Sequence, residues 1–166
     1  MNAQNVLLVD DQPLIRKSLR SILESIDENL IIIAASSLEE AIRYVHSGEQ
    51  PLLTLLDLQL PDGTGIELMQ ELRESVPQAL PIVLTSFDDD EALAEALAAG
   101  ARAYLLKTVH GAEISDVVRA VASGRVLLDE RTVTRRRADH DDPTADLTNA
   151  ERKVLDQIGR ASCRER

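Results

Sequence analysis

VLLVDDQPLIRKSLRSIL, residues 6–23, is the stretch that decides the fold. Val6-Leu7-Leu8-Val9 is an unbroken apolar run that stops at Asp10-Asp11. Past Pro13, residues Ile15, Leu19, Ile22 and Leu23, with Ile26 beyond, recur at the spacing of one helical face. A short strand followed by an amphipathic helix is the simplest reading. The strand does not alternate apolar with polar residues, so both of its faces are buried, as in a parallel sheet covered by helices.

The same shift occurs four more times. Leu30 to Ala34 precedes Leu38, Ala41, Ile42 and Val45, with Ser37 and Glu40 spaced as a capping box. Leu52 to Leu56 precedes Ile66, Leu68, Met69 and Leu72. Ile82-Val83-Leu84 precedes an alanine-rich helix built on Leu93 and Leu97, which stops at Gly100. Ala103 to Leu106 precedes Ile114, Val117, Val118 and Val121, and Gly124 ends that helix. The expectation is an α/β fold, a doubly wound five-stranded parallel sheet with helices on both faces. After Val133 the pattern gives way to Arg135-Arg136-Arg137, Asp139 to Asp142 and Pro143, so residues 1–133 read as one domain and 134–146 as a linker. A last helix starts at Thr148, whose spacing to Glu151 repeats the capping box, with Ala150, Val154, Leu155 and Ile158 on one face. A helix that short does not fold alone.

The chain has 166 residues, 44% of them apolar, enough for one full core. One Phe, two Tyr and no Trp argue against a base-stacking platform. No apolar run approaches the roughly 20 residues that span a bilayer, and MNAQNVLLVDD has no basic leader, so the chain reads as cytoplasmic with no membrane partner. The single Cys163 permits no internal disulfide. Residues 1–130 carry 9 basic against 22 acidic side chains, and 131–166 carry 9 against 7. An acidic front repels a phosphate backbone, which leaves any nucleic-acid contact to the back end of a longer protein.

In such a sheet the reactive crevice lies beyond the carboxyl ends of the strands. There this sequence places Asp10-Asp11, Asp57, Thr85-Ser86 and Lys107, while the second strand ends in Ala34-Ala35-Ser36. Singly, Asp10 or Asp11 reads as a cap of the helix at Pro13, Asp57 as a turn residue and Lys107 as a solvated cation. Together, four strand ends out of five carry complementary groups. Three carboxylates about 5 Å apart repel one another by roughly 3 kcal/mol per pair at an effective dielectric near 20. A divalent cation offsets that, and oxygen ligands without His or Cys favour Mg²⁺ or Mn²⁺. Phosphoryl chemistry follows, with Asp57, Lys107 and Thr85 available as nucleophile, counter-charge and hydrogen-bond donor. Asp88 to Glu91 suit the first turn of the fourth helix, and His46, His110 and His140 have no ligand spacing.

On these residues the chain resembles a bacterial two-component response regulator of the NarL/FixJ type, with a LuxR-like helix-turn-helix output. VLLVDDQPLIRKSLRSIL is similar to the acidic-pair segment of that family, and LLTLLDLQLPDGTGIELMQELR to its phosphoacceptor segment. IVLTS and GARAYLLKTVHGAEISDVVRAVASGRVLL resemble its switch and lysine segments. The resemblance implies a flavodoxin-like strand order 2-1-3-4-5 and phosphorylation of Asp57 by a sensor histidine kinase. It implies Mg²⁺ held by Asp11 and Asp57 directly, by Asp10 largely through water, and by the backbone carbonyl of Gln59, with Mn²⁺ as a substitute. Lys107 would pair with the phosphoryl group, Thr85 would hydrogen-bond it, and Tyr104 would follow Thr85 as the switch aromatic. Phosphorylation would favour a homodimer. The chain departs from many receivers in having Thr108 where they have proline. DLTNAERKVLDQI, within 147–166, resembles the first helix of the LuxR-like domain, so DNA would be bound through the full-length output domain rather than through this chain. The tail GRASCRER reads either as the following turn, one residue short of the usual spacing, or as a cloning scar.

Two other readings compete. Asp62-Gly63-Thr64 echoes a haloacid-dehalogenase-like phosphatase, but that chemistry needs an aspartate two residues after the nucleophile, where this chain has Gln59. A pseudo-receiver would have lost an acidic-pair member, the acceptor or the lysine, and all are present. The expected role is a signalling phosphoacceptor that catalyses only its own phosphorylation and dephosphorylation.

Overall fold

The apolar runs become strands because each is too short and too evenly apolar to be anything but a buried extended segment, and each helical period forms the helix behind it. The computed structural model describes residues 4–86 and 89–128. β1 (Asn5–Val9) leads into α1 (Pro13–Ile26), and β2 (Ile31–Ala35) into α2 (Leu38–His46). β3 (Leu53–Leu56) reaches α3 (Gly65–Ser75) through a small hairpin of β4 (Gln59–Leu60) and β5 (Gly63–Thr64). β6 (Leu80–Thr85) leads into α4 (Asp90–Ala98), and β7 (Ala103–Leu106) into α5 (Gly111–Ala122).

The main sheet is entirely parallel, in the order β2-β1-β3-β6-β7, which is the expected 2-1-3-4-5 order once the hairpin is set aside. All of β3 is buried, as is all of β1 after Asn5, whereas the edge strands β2 and β7 are only partly covered. Val6, Leu8, Leu53, Leu55, Ile82, Leu84, Ala103 and Leu105 pack with Leu19 and Leu23 of α1 and Ile114, Val118 and Val121 of α5. With a side-chain period of two, Leu7, Val9, Leu56 and Val83 turn to the opposite face. α1 lies beside α5, and α2 beside α3.

Several details differ from the sequence reading. β2 and β3 begin one residue later than expected, and β6 is longer, running from Leu80 through Pro81 to Thr85. Pro81 is tolerated because it precedes the first β6–β7 register pair, Ile82–Ala103, while its carbonyl still accepts from Arg102 N at 2.8 Å. α4 buries Leu93 and Ala96, whereas the expected Leu97 is only half-buried. In an alanine-rich helix several faces are apolar, so the spacing of two leucines does not pick out the buried one. Asp89 caps α4 by accepting from Glu91 N at 2.9 Å, and Asp90 and Glu91 lie in its first turn. Asp88, the run Arg135 to Arg137, the linker at 134–146, the helix from Thr148, His140 and Cys163 lie outside the described residues.

Candidate functional site

β1 and β3 are adjacent and in register, Val9 opposite Leu56, so the residues that follow them emerge side by side. Asp10 N donates to Ala35 O at 3.1 Å and Asp57 N to Val9 O at 2.9 Å, which extends the ladder by one residue and fixes both carboxylates at one edge. This is also where the chain winds outward in both directions, the crevice that a doubly wound sheet leaves open for ligands. On the other side of β3, Lys107 N donates to Thr85 O at 2.8 Å, which brings the ends of β6 and β7 to the same edge.

The side chains meet there. Asp10 is 2% and Asp57 6% exposed, and the ammonium of Lys107 lies between them, 2.6 Å from Asp10 Oδ2 and 2.7 Å from Asp57 Oδ2. Burial alone would lower the Lys107 pKa, but the hydrogen bonds and charges of the two carboxylates outweigh it and hold the ammonium above its ordinary value. Burial pushes Asp57 above the usual carboxylate range, against the pull of Lys107 and the Gln59 N–H, and Asp10 adds to the rise. Asp10 also receives Gln12 N on Oδ1 at 2.9 Å, and its carbonyl receives Arg16 Nη1 at 2.6 Å. It therefore shapes the β1–α1 loop without capping α1, whose N-cap is Gln12.

Asp10, Asp11 and Asp57 each offer a carboxylate oxygen, and the three oxygens lie within 4.8 Å of one another. The donor set, all hard oxygen with no sulfur or imidazole, could hold a metal ion, and Asp11 is the exposed member through which one would enter. Gln59 is exposed next to Asp57, and its N–H donates to Asp57 Oδ1 at 3.2 Å. Thr85 is fully buried at the end of β6. Tyr104 is half-buried in β7, where desolvation and then the carboxylates of Asp89 and Asp90 push its hydroxyl up to about 12. The start of α4 therefore lies within electrostatic reach of the Tyr104 hydroxyl. Thr108 is exposed in a turn closed by Val109 N donating to Leu106 O at 3.1 Å.

Three contacts were not foreseen from the sequence. Lys107 bridges Asp10 as well as Asp57, Arg16 anchors the Asp10 carbonyl, and Asp62 accepts from Leu38 N at 2.8 Å and Glu39 N at 2.9 Å. The capping box of α2 is displaced by one residue: Ser37 Oγ accepts from Glu40 N, but the Glu40 carboxylate reaches Ser36 N at 2.7 Å. His46 pairs with Glu71 of α3 at 2.5 Å.

Fold and site together define a doubly wound α/β domain whose carboxyl edge carries an acidic cluster able to hold a metal ion, closed by a buried lysine. Residues 6–119 match the response regulator receiver domain, and the chain belongs to that family. It is 37% identical over 156 residues to the DNA-binding transcriptional activator DevR/DosR of Mycobacterium tuberculosis, a match covering 90% of this chain and 71% of that protein. It is 31% identical to the response regulator protein VraR of Staphylococcus epidermidis, with 81% of this chain and 64% of VraR covered. The chain thus spans about two thirds of the length of these relatives. Among solved structures it is similar to a LuxR-family two-component response regulator from Aurantimonas, with a TM-score of 0.69, 26% identity and coverage of 82% of this chain and 99% of that one. A CheY-like receiver domain from Methanospirillum hungatei gives a TM-score of 0.68 at 28% identity, covering 74% of this chain and 95% of that one.

Proposed function

We propose that the chain is the receiver part of a two-component transcription regulator, switched by phosphorylation of Asp57. The observation that carries this reading is the Lys107 ammonium held between the buried carboxylates of Asp10 and Asp57, beside an exposed Asp11. An Asp57 oxygen attacks the phosphorus of a phosphohistidine on a sensor kinase. The new O–P bond forms as the N–P bond breaks, and the electron pair leaves with the imidazole. Burial makes the Asp57 carboxylate a stronger base than a solvated one, and Lys107 is placed to neutralise charge gathering on the phosphoryl oxygens. Mg²⁺, or Mn²⁺ in its place, would supply further charge neutralisation, held by Asp11 and Asp57, by Asp10 largely through water, and by the Gln59 carbonyl. Thr85 hydrogen-bonds the phosphoryl group and Tyr104 follows it.

In this reading the domain catalyses only its own phosphorylation and dephosphorylation, works in the cytoplasm and pairs with a second copy when phosphorylated. Residues 1–133 form the receiver, 134–146 the linker and 147–166 the start of a LuxR-like domain. The similarity to DevR/DosR, a DNA-binding transcriptional activator, supports a DNA-binding output in the full-length protein. Acetyl phosphate with Mg²⁺ should add one phosphoryl group by intact mass. EDTA or Asp57→Asn should abolish the addition, and stoichiometric labelling of Asp57→Asn would overturn the assignment.

A further inference from the structure

The first turn of a helix has backbone N–H groups with no partner inside the helix. α2 satisfies one of them conventionally, with Ser37 Oγ accepting from Glu40 N at 3.2 Å. Two others, on Leu38 and Glu39, are taken by a single carboxylate from 23 and 24 residues further along the chain, that of Asp62, at 2.8 and 2.9 Å. Those backbone bonds hold the Asp62 carboxyl below the usual range, so it is ionised throughout the neutral region, and a negative charge there suits the helix dipole.

Asp62 stands in the turn between β4 and β5, whose ladder pairs Gln59 with Thr64 and Leu60 with Gly63. Other ties hold the same hairpin. Gln59 N donates to Asp57 Oδ1, Gly65 N donates to Leu58 O at 2.9 Å, and Thr64 Oγ1 accepts from Glu67 N at the start of α3. The packing against α2 is close: a Cβ on Gly63 would fall 2.4 Å from Leu38 Cδ2. The loop that carries Gln59 is therefore fastened to Asp57, to α3 and, through Asp62, to α2.

We propose that Asp62 is a positioning residue for the cation site: by clamping the N-terminus of α2 it fixes the β4–β5 hairpin, and with it the Gln59 carbonyl and the Asp57 carboxylate. The proposal rests on the reading of Asp57 and its acidic neighbours given above. Asp62 touches neither cation nor phosphoryl group, and it acts only through the loop.

A cap that served α2 alone would be interchangeable with Ser37, which supplies the test. Mg²⁺ affinity is measured by isothermal titration calorimetry on the unphosphorylated 166-residue chain, alongside the melting temperature, for wild type, Asp62→Ala, Asp62→Asn and Ser37→Ala. Asp62→Ala should weaken Mg²⁺ binding roughly tenfold, the low end for residues that hold ligating groups in place. Asp62→Asn keeps one acceptor oxygen and should fall between Asp62→Ala and wild type. Ser37→Ala should lower the melting temperature without changing the affinity. Wild-type affinity in both Asp62 variants, or an equal loss in Ser37→Ala, overturns the proposal. If the wild-type chain itself takes up no Mg²⁺, the underlying reading of the site fails and takes this one with it, a result distinct from a loss confined to the variants. Should Asp62→Ala not fold, Asp62→Asn against Ser37→Ala decides the matter alone.

Discussion

Lys107 is the counter-ion for two buried carboxylates, so its removal leaves both without compensation. Breaking a buried pair from one side costs about 3–5 kcal/mol. Lys107→Met should therefore lower stability to urea by about that much in the metal-free protein, and added Mg²⁺ should restore a large part of it. Asp57 behaves in the opposite sense. Its folded pKa lies above its unfolded one, so it contributes stability below pH 3.8 that is lost as pH rises through the folded value. Asp57→Asn should melt a few degrees higher than wild type at pH 7 without metal, and the advantage should vanish below pH 3.8. Glu71 carries the reverse sign, because the hydrogen bonds from His46 and Ser75 hold its carboxyl below the usual range. Its stabilisation is present above pH 4.5 and fades as pH falls through the lower folded value, so Glu71→Gln should flatten the acid limb of a urea-stability profile. That Asp10, Asp11, Asp57, Thr85 and Lys107 come to one edge of the sheet was legible in the sequence because strand ends are easy to locate. That one ammonium serves both Asp10 and Asp57 was not, since the 96 residues between Asp10 and Lys107 carry no trace of the pairing.

The loop between β3 and α3 is held by glycine as much as by hydrogen bonds. A Cβ on Gly65 would fall 2.4 Å from the carbonyl oxygen of Asp57 and 3.1 Å from Leu58 Cα, and backbone cannot step aside as a flexible side chain can. Gly65→Ala should cost at least the roughly 1–3 kcal/mol of overpacking and displace Asp57, the proposed phosphoacceptor, so phosphorylation by acetyl phosphate should slow even where the variant is still folded. Gly48→Ala is the contrast. Gly48 has φ +91° and open space around it, so that variant should lose about 1 kcal/mol of stability and leave phosphorylation unchanged. Strands and helices of four residues or more were readable because an apolar run or a helical period accumulates along them. The β4–β5 hairpin was not, because two residues a side give no period, and the anchor for its turn is the N-terminus of α2. The capping box of α2 failed by one residue for a similar reason: spacing shows that Glu40 can reach back, but not which N–H it takes.

At the scale of the whole molecule, the phosphoryl group proposed at Asp57 would have to be felt at a surface, and the helices differ in how firmly each is held. α3 buries Leu68, Met69 and Leu72 and α5 buries Ile114, Val118 and Val121, about 1.5–3 kcal/mol for each large side chain. α4 buries one large side chain, Leu93, and the methyl group of Ala96. It is therefore the helix that moves at least cost. Its N-terminal end lies within electrostatic reach of Tyr104, whose hydroxyl Asp89 and Asp90 help to keep neutral, and Tyr104 stands on the strand paired with that of Thr85. In the proposed function the signal would pass from the buried Asp57 through Thr85 and Tyr104 to α4, the helix with the shallowest seating among the described residues. Moving a two-state equilibrium from mostly off to mostly on takes about 5.5 kcal/mol of differential stabilisation, within reach of a few charge-assisted hydrogen bonds and a cation. Thr85→Ala should leave labelling of Asp57 by acetyl phosphate largely intact, because Lys107 and the acidic cluster remain. Under the proposed function phosphorylation should also shift the self-association of the wild type in analytical ultracentrifugation, and Thr85→Ala should remove that shift. If the variant shifts its sedimentation as the wild type does, the signal leaves Asp57 by another route, and the shallow seating of α4 serves some other end.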